Sequence, residues 1–229
     1  MKFIVSDEHR FVYFVVQKAA CTSIKTALLP LFDPSSTDDN AGRNSTSYKS
    51  NVHKFFDNSG HQIKKEQLVK DLDGVYRDYF KFAFVRNPWD RLVSCYLNKL
   101  AEGRRGMKSP PKLAARVYPG MPFPEFVEIV YETPDKEANI HFRSQSSVIC
   151  GQGDGRPVMV DFVGYFENLE ADFSTVAKKI GDDQVQQLPH LMRAKNRHSR
   201  SYKEFYDNRL RDLVYKRYRE DIEKFGYYF

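Results

Sequence analysis

The sequence predicts an α/β domain built on a mostly parallel central sheet. Three observations carry that expectation. Short, nearly continuous apolar runs of strand length occur at Phe11–Val16 and Tyr79–Val85. Amphipathic segments of helical period lie between and after them. Twice, a strand-like run passes through a small or polar loop straight into a helix, at Val15–Lys25 and Phe82–Tyr96. The 229 residues suit one such domain spanning the whole chain, 1–229, and 41% apolar residues suffice for a core.

In chain order, Lys2–Ser6 and Phe11–Val16 read as strands joined by a turn at Asp7–Arg10. Thr22–Leu29 reads as a helix stopped near Pro30. The Ser/Thr/Asn/Asp-rich stretch Asp33–Ser50 reads as a loop. Gln62–Leu72 reads as a short helix and Tyr79–Val85 as a buried strand. Asn87-Pro88-Trp89-Asp90 is a helix start: Asn87 suits the cap, Pro88 the first helical position and Asp90 the first turn. That helix runs to about Glu102. Gly103–Gly120 is basic and proline-broken, a surface excursion. Phe123–Tyr131 is helical, Val158–Phe166 a strand and Leu169–Ile180 a helix. Arg193–Arg200 is a basic loop. Tyr202–Phe225 reads as one long amphipathic helix, with Leu210, Leu213, Val214, Tyr218, Ile222 and Phe225 recurring every three or four positions.

The formal net charge of +6 favours anionic partners: nucleotides, acidic glycans, nucleic acid or a membrane surface. An ordinary basic surface explains the charge equally well. The three cysteines, Cys21, Cys95 and Cys150, lack CxxC spacing, which disfavours a zinc site or a thioredoxin-type motif. Their odd number fits a reducing compartment. Cys21 and Cys95 read as small apolar residues packing under the two loops. No apolar run has the length of a membrane span, and the start MKFIVSDEHR is too briefly apolar for a leader. The expected placement is therefore cytoplasmic without stable membrane insertion, or the Golgi lumen if the sequence is a piece of a longer chain.

Both strand–loop–helix segments are candidate anion sites, because the first helical N–H groups lack internal partners and sit at the positive end of the helix dipole. In the first, Lys18, Ala20, Cys21, Thr22 and Ser23 combine a mobile cation, small residues and two hydroxyls. The segment lacks GxxxxGK[ST], which disfavours a magnesium-dependent nucleotidase. In the second, Arg86 ends a strand with a planar fork suited to phosphate, and Ser94 adds a hydroxyl two turns into the helix. Taken singly, each segment is also readable as a plain turn with solvated or salt-bridged cations.

KAACTSIK resembles the 5′-phosphosulfate loop of the carbohydrate sulfotransferases, and FVRNPWDRLVSCYLNK their 3′-phosphate motif. HFRSQSSVIC (His141–Cys150), DFVGYFENLEADF (Asp161–Phe173) and a terminal pattern of Tyr218, Asp221, Phe225, Gly226 and Tyr227 follow in the family's order. The resemblance covers about Val12 to Phe229. It implies a P-loop NTPase-like three-layer α/β fold, 3′-phosphoadenosine 5′-phosphosulfate as co-substrate, no metal, and transfer of the sulfuryl group to a hydroxyl of a carbohydrate or another acceptor rather than any business with nucleic acid. By the same resemblance Lys18, Ala20, Cys21, Thr22 and Ser23 hold the 5′-phosphosulfate, with Lys18 also stabilising the leaving group, while Arg86 and Ser94 hold the 3′-phosphate. The sequence departs from the family pattern at Gln17, where proline is common.

Of the six histidines, His53 lies between the two loops, where related enzymes place a catalytic histidine, and is the favoured base; His141, in HFRSQ, is the rival. Arg197, Ser199 and Arg200 lie in a basic loop that in related folds closes over the nucleotide. Trp89 either stacks on adenine or packs in the core. Two other classes of function stay open at this point: a kinase-like enzyme using ATP or GTP with magnesium, and a non-catalytic polyanion-binding module.

Overall fold

The computed structural model describes residues 3–37, 46–63, 65–100, 116–151, 157–181, 185, 188 and 201–229. The chain forms two compact units, Met1–Val85 with Val148–Asn196, and Arg86–Ser147 with Arg197–Phe229.

The first unit holds a five-stranded sheet of order β3-β1-β2-β4-β5, made of β1 (Phe3–Ser6), β2 (Phe11–Phe14), β3 (Gln62–Ile63), β4 (Phe80–Val85) and β5 (Phe162–Tyr165). β2, β4 and β5 pair in parallel, while β1 pairs antiparallel with both β2 and β3. Four strands therefore point the same way and β1 alone is reversed, so the mostly parallel expectation holds. Alternation sends Ile4, Phe11, Tyr13, Phe82 and Phe84 to one face. There they pack on α1 (Cys21–Leu28), α2 (Thr46–Asn58) and α7 (Leu169–Ile180) through Ile24, Leu28, Val52, Phe56, Phe173 and Val176. The aromatic richness of the sequence is spent here: Tyr13 stacks on Phe82 at 5.0 Å between ring centroids, and Phe11, Phe80 and Phe84 also contact that ring. The opposite face, with Phe3, Val5, Val12, Phe14, Ala83 and Val85, is buried as well, which is why β2 and β4 read as continuous apolar runs.

Gly164 in β5 shows how tight this layer is. A Cβ built there would lie 2.4 Å from the Phe84 ring. Gly164→Ala is therefore expected to cost ~1–3 kcal/mol by overpacking. A urea midpoint equal to that of the native protein would show that the Phe84 ring yields and the prediction fails.

The second unit is helical: α4 (Pro88–Lys99), α5 (Phe123–Glu132), α8 (Asn208–Arg217) and α9 (Arg219–Phe225) bury Trp89, Leu92, Phe126, Val130, Leu210, Val214 and Tyr218 together. Two short helices complete the description, α3 (Lys65–Asp71) and α6 (Ser146–Ile149).

Four expectations need correction. Tyr202–Phe225 is not one helix but a 3-10 turn at Tyr202–Phe205 followed by α8 and α9. Capping overrides the apolar period: Ser201 and Glu204 form a capping box, Asp207 accepts from the Leu210 amide and starts α8 anew, and Tyr218 leaves helical geometry between α8 and α9. The loop expected to run to Ser50 ends earlier, because α2 starts at Thr46 and Val52 and Phe56, four residues apart, give it a buried stripe. Gln62 and Ile63 form an edge strand, and the helix starts only at Lys65. The strand expected over Val158–Phe166 shortens to Phe162–Tyr165, with an isolated bridge pairing Val158 and Cys150. The basic segments at 103–115 and 193–200 lie outside the described residues.

Candidate active site

The loop from β2 to α1 has an unusual backbone. Lys18 and Ala20 take left-handed conformations, φ 69° and 61°, in a stretch without glycine. Such residues cost of order 1 kcal/mol each and concentrate at functional sites. Left-handed residues of this kind recur in anion-binding nests, where successive N–H groups face a common side. Ala20 caps α1 with no side-chain hydrogen bond, so no side chain of its own neutralises the positive end of that helix. Ser23 is 2% exposed, and its Oγ is a buried hydroxyl with no partner among the described residues. Orphaned hydroxyls of this kind are uncommon because each costs ~1–3 kcal/mol. A bound phosphosulfate oxygen would satisfy it, so this loop fits the co-substrate that the resemblance implies.

Thr22 and His53 meet across α1 and α2, with Thr22 Oγ1 and His53 Nε2 3.0 Å apart. Lys25 Nζ lies 3.5 Å from His53 Nδ1 and 5.6 Å from the centre of the Phe56 ring. Both ring nitrogens of His53 are thus engaged. Lys25, 2% exposed, is a residue that sequence reasoning missed; its only signal was its place on the same helical face as Thr22, three residues on.

The second segment is organised differently. Asn87 caps α4 by accepting from the Trp89 and Asp90 amides, and its Nδ2 donates to the Tyr228 carbonyl. The predicted helix start is correct, and this helix end is satisfied by its own chain. Arg86, 3% exposed, donates Nε and Nη2 to Asp90 Oδ2 at 2.9 and 2.7 Å. The pair holds the guanidinium plane fixed and takes two of its five donors. Ser94 is half-buried on the same helix. Trp89 packs in the core, 2% exposed, with Nε1 bonded to the Arg211 carbonyl; the core alternative holds for it.

Two further motifs fasten Arg86 in place. Gln145 clasps its backbone, donating Nε2 to the Arg86 carbonyl at 2.8 Å and accepting the Arg86 amide at 2.9 Å. Asp221, fully buried, accepts the Gln145 and Ser146 amides at 2.7 Å each. Burial pushes the Asp221 carboxyl up, against the pull of those amides and of Arg91. HFRSQ and the terminal pattern are therefore one structure behind Arg86. The sequence signalled both motifs but gave no hint that they touch.

Beside them, Asp135 accepts from Arg217 and Ser144. Burial would raise its carboxyl, but Arg217 and Ser144 outweigh burial and hold it below the usual range. A lowered folded value means stability present above the unfolded carboxylate range, about pH 4, and lost as pH falls through the folded value. Below about pH 4 the native protein is expected to lose stability more steeply than Asp135→Asn; parallel acid limbs in urea titrations would refute this.

The rival histidine has a defined tautomer. The His141 amide and His141 Nδ1 both approach Asn139 Oδ1, at 3.1 and 2.6 Å. The amide can only donate, which fixes Asn139 Oδ1 as the acceptor. Nδ1 then carries the ring proton and the lone pair resides on Nε2. Arg197, Ser199 and Arg200 lie outside the described residues.

A sequence model of the sulfotransferase family matches residues 1–228. The chain belongs to the sulfotransferase family. It is 26% identical over 202 residues to carbohydrate sulfotransferase 14 of Danio rerio, covering 81% of this chain and 50% of that one. It is 24% identical to carbohydrate sulfotransferase 11 of Rattus norvegicus over 98% of this chain and 66% of the relative, and 27% identical to human carbohydrate sulfotransferase 9 over 97% and 48%. This sulfotransferase chain thus spans about half to two thirds the length of these curated relatives. No solved structure matches it.

These relatives overturn the cytoplasmic expectation. They are Golgi carbohydrate sulfotransferases of animals and not cytoplasmic enzymes. A chain shorter than its relatives says nothing of a leader through its own start. Cys21, Cys95 and Cys150 are buried thiols, consistent with packing in any compartment. Among the described residues, no helix is long and apolar enough to cross a membrane.

Proposed function

We propose that the chain transfers the sulfuryl group of 3′-phosphoadenosine 5′-phosphosulfate to a carbohydrate hydroxyl by in-line displacement. The observation that carries this reading is the loop Lys18–Ser23: two left-handed residues, a helix end without a capping side chain and the orphaned Ser23 hydroxyl. Family membership supplies the reaction class, and the names of the relatives supply carbohydrate as the acceptor class.

Lys18, Thr22 and Ser23, with the amides of Ala20 and Cys21, would hold the 5′-phosphosulfate, and Arg86 and Ser94 the 3′-phosphate. The co-substrate supplies an activated sulfuryl group when bound. The chain's task is to align the acceptor, keep the reacting oxygens in line and neutralise negative charge, which falls to Lys18. Arg197, Ser199 and Arg200 complete the nucleotide contacts in this proposal. The acceptor's proton goes to a histidine. His141 is proposed as that base, because the Asn139 contact puts its proton on Nδ1 and its lone pair on Nε2, the atom that would accept.

The test is transfer of ³⁵S from labelled 3′-phosphoadenosine 5′-phosphosulfate to desulfated polysaccharides. Label in the polysaccharide, insensitive to a magnesium chelator, supports the proposal. Absence of transfer across the panel, together with ATP hydrolysis that needs magnesium, would replace it with the kinase-like reading.

A further inference from the structure

The donor-site reading leaves Lys25 and His53 without a part, yet Lys25 is a nearly fully buried ammonium in α1 directed at the His53 ring. An ammonium has donors only. A proton on His53 Nδ1 would face that cation at 3.5 Å, so the lone pair sits on Nδ1 and the proton on Nε2. Nε2–H then donates to Thr22 Oγ1 at 3.0 Å. With one lone pair taken by the ring, the Thr22 hydroxyl cannot spend its own proton on His53. That proton is left for another acceptor, in the loop where Lys18 and Ala20 are left-handed and the Ser23 hydroxyl lies orphaned.

We propose that Lys25 and His53 are positioning residues: Lys25 fixes His53 as the Nε2–H tautomer, and His53 in turn fixes Thr22 as a hydrogen-bond donor to the 5′ anionic group of the co-substrate. His53 does not take the acceptor's proton. Without the relay, Thr22 can donate to the ring and present lone pairs to the anion, which repels it. The inference rests on the donor-site reading of Lys18–Ser23.

The test uses two readouts on the whole chain. Long-range ¹H–¹⁵N spectra of ¹⁵N-histidine protein, with His53 assigned through His53→Gln, report its tautomer without any ligand. Calorimetric titration with adenosine 3′,5′-bisphosphate and with adenosine 3′-monophosphate separates the 5′ group from the rest of the nucleotide. The native protein is expected to show the Nε2–H form. Lys25→Met is expected to shift His53 toward the Nδ1–H form and to weaken the bisphosphate about tenfold while leaving the monophosphate unchanged. His53→Ala gives the same selective loss. His53→Gln, whose amide offers both a donor group and an acceptor group, restores most of it. If Lys25→Met does not fold, the two His53 variants carry the test. An Nδ1–H native ring, or His53→Ala binding the bisphosphate with native affinity, overturns the proposal. A native protein that binds both nucleotides equally overturns the donor reading, and the proposal falls with it, whatever the tautomer.

Discussion

Asp221→Ala is expected to cost ~3–5 kcal/mol of folding stability, read as a fall in the urea midpoint at constant slope. The carboxylate is fully buried, accepts two amides at 2.7 Å and shares its interior with Arg91, itself 2% exposed. Truncation strands two buried N–H groups and removes the anion that opposes Arg91. Asp221→Asn keeps the shape and an acceptor but not the charge, and is expected to cost less, ~1–3 kcal/mol. The Gln145 clasp on the Arg86 backbone hangs from the same carboxylate, so nucleotide affinity should fall in both variants. A loss below about 1 kcal/mol for Asp221→Ala would show that water or a neighbour replaces the carboxylate and that the clasp does not depend on it.

Lys18→Met is expected to lower turnover by ~10²–10³, the usual scale for removing one group that meets charge developing in the transition state. Methionine keeps the length of the stem, so what is lost is charge. Lys18→Gly separates the two properties of this position. Glycine takes φ 69° without strain, so this variant should be as stable as the native protein or up to about 1 kcal/mol more stable, while losing turnover to the same extent. Strain held at a residue that turnover requires would thereby be measured directly. Equal turnover of Lys18→Met and the native protein would remove Lys18 from the reaction.

What the sequence made legible followed from local rules. β2 and β4 were visible because both faces of the sheet are buried, and α4 because Asn87, Pro88 and Asp90 are start signals in consecutive order. The α8–α9 region was misread because the apolar period continues through Asp207 and Tyr218, while the caps that break it are single polar residues. Both strand–loop–helix segments were legible as motifs, but their difference was not. Nothing in the letters KAACTS announces left-handed backbone at Lys18 and Ala20, since neither is glycine, and nothing in RNPWD shows that Asp90 claims Arg86. Lys25, Gln145 and Asp221 needed long-range contacts, across 28, 59 and 76 residues, that no local pattern encodes.

Arg86 is proposed to hold the 3′-phosphate of a 3′-phosphorylated nucleotide. The most direct measurement is calorimetric titration with adenosine 3′,5′-bisphosphate against ATP with magnesium, on the native chain and on Arg86→Ala. Micromolar binding of the bisphosphate is expected, indifferent to magnesium and weakened ~10–100-fold in Arg86→Ala, the scale of a lost charge-assisted hydrogen bond. Tighter binding of ATP with magnesium, or bisphosphate binding unchanged in Arg86→Ala, would contradict it.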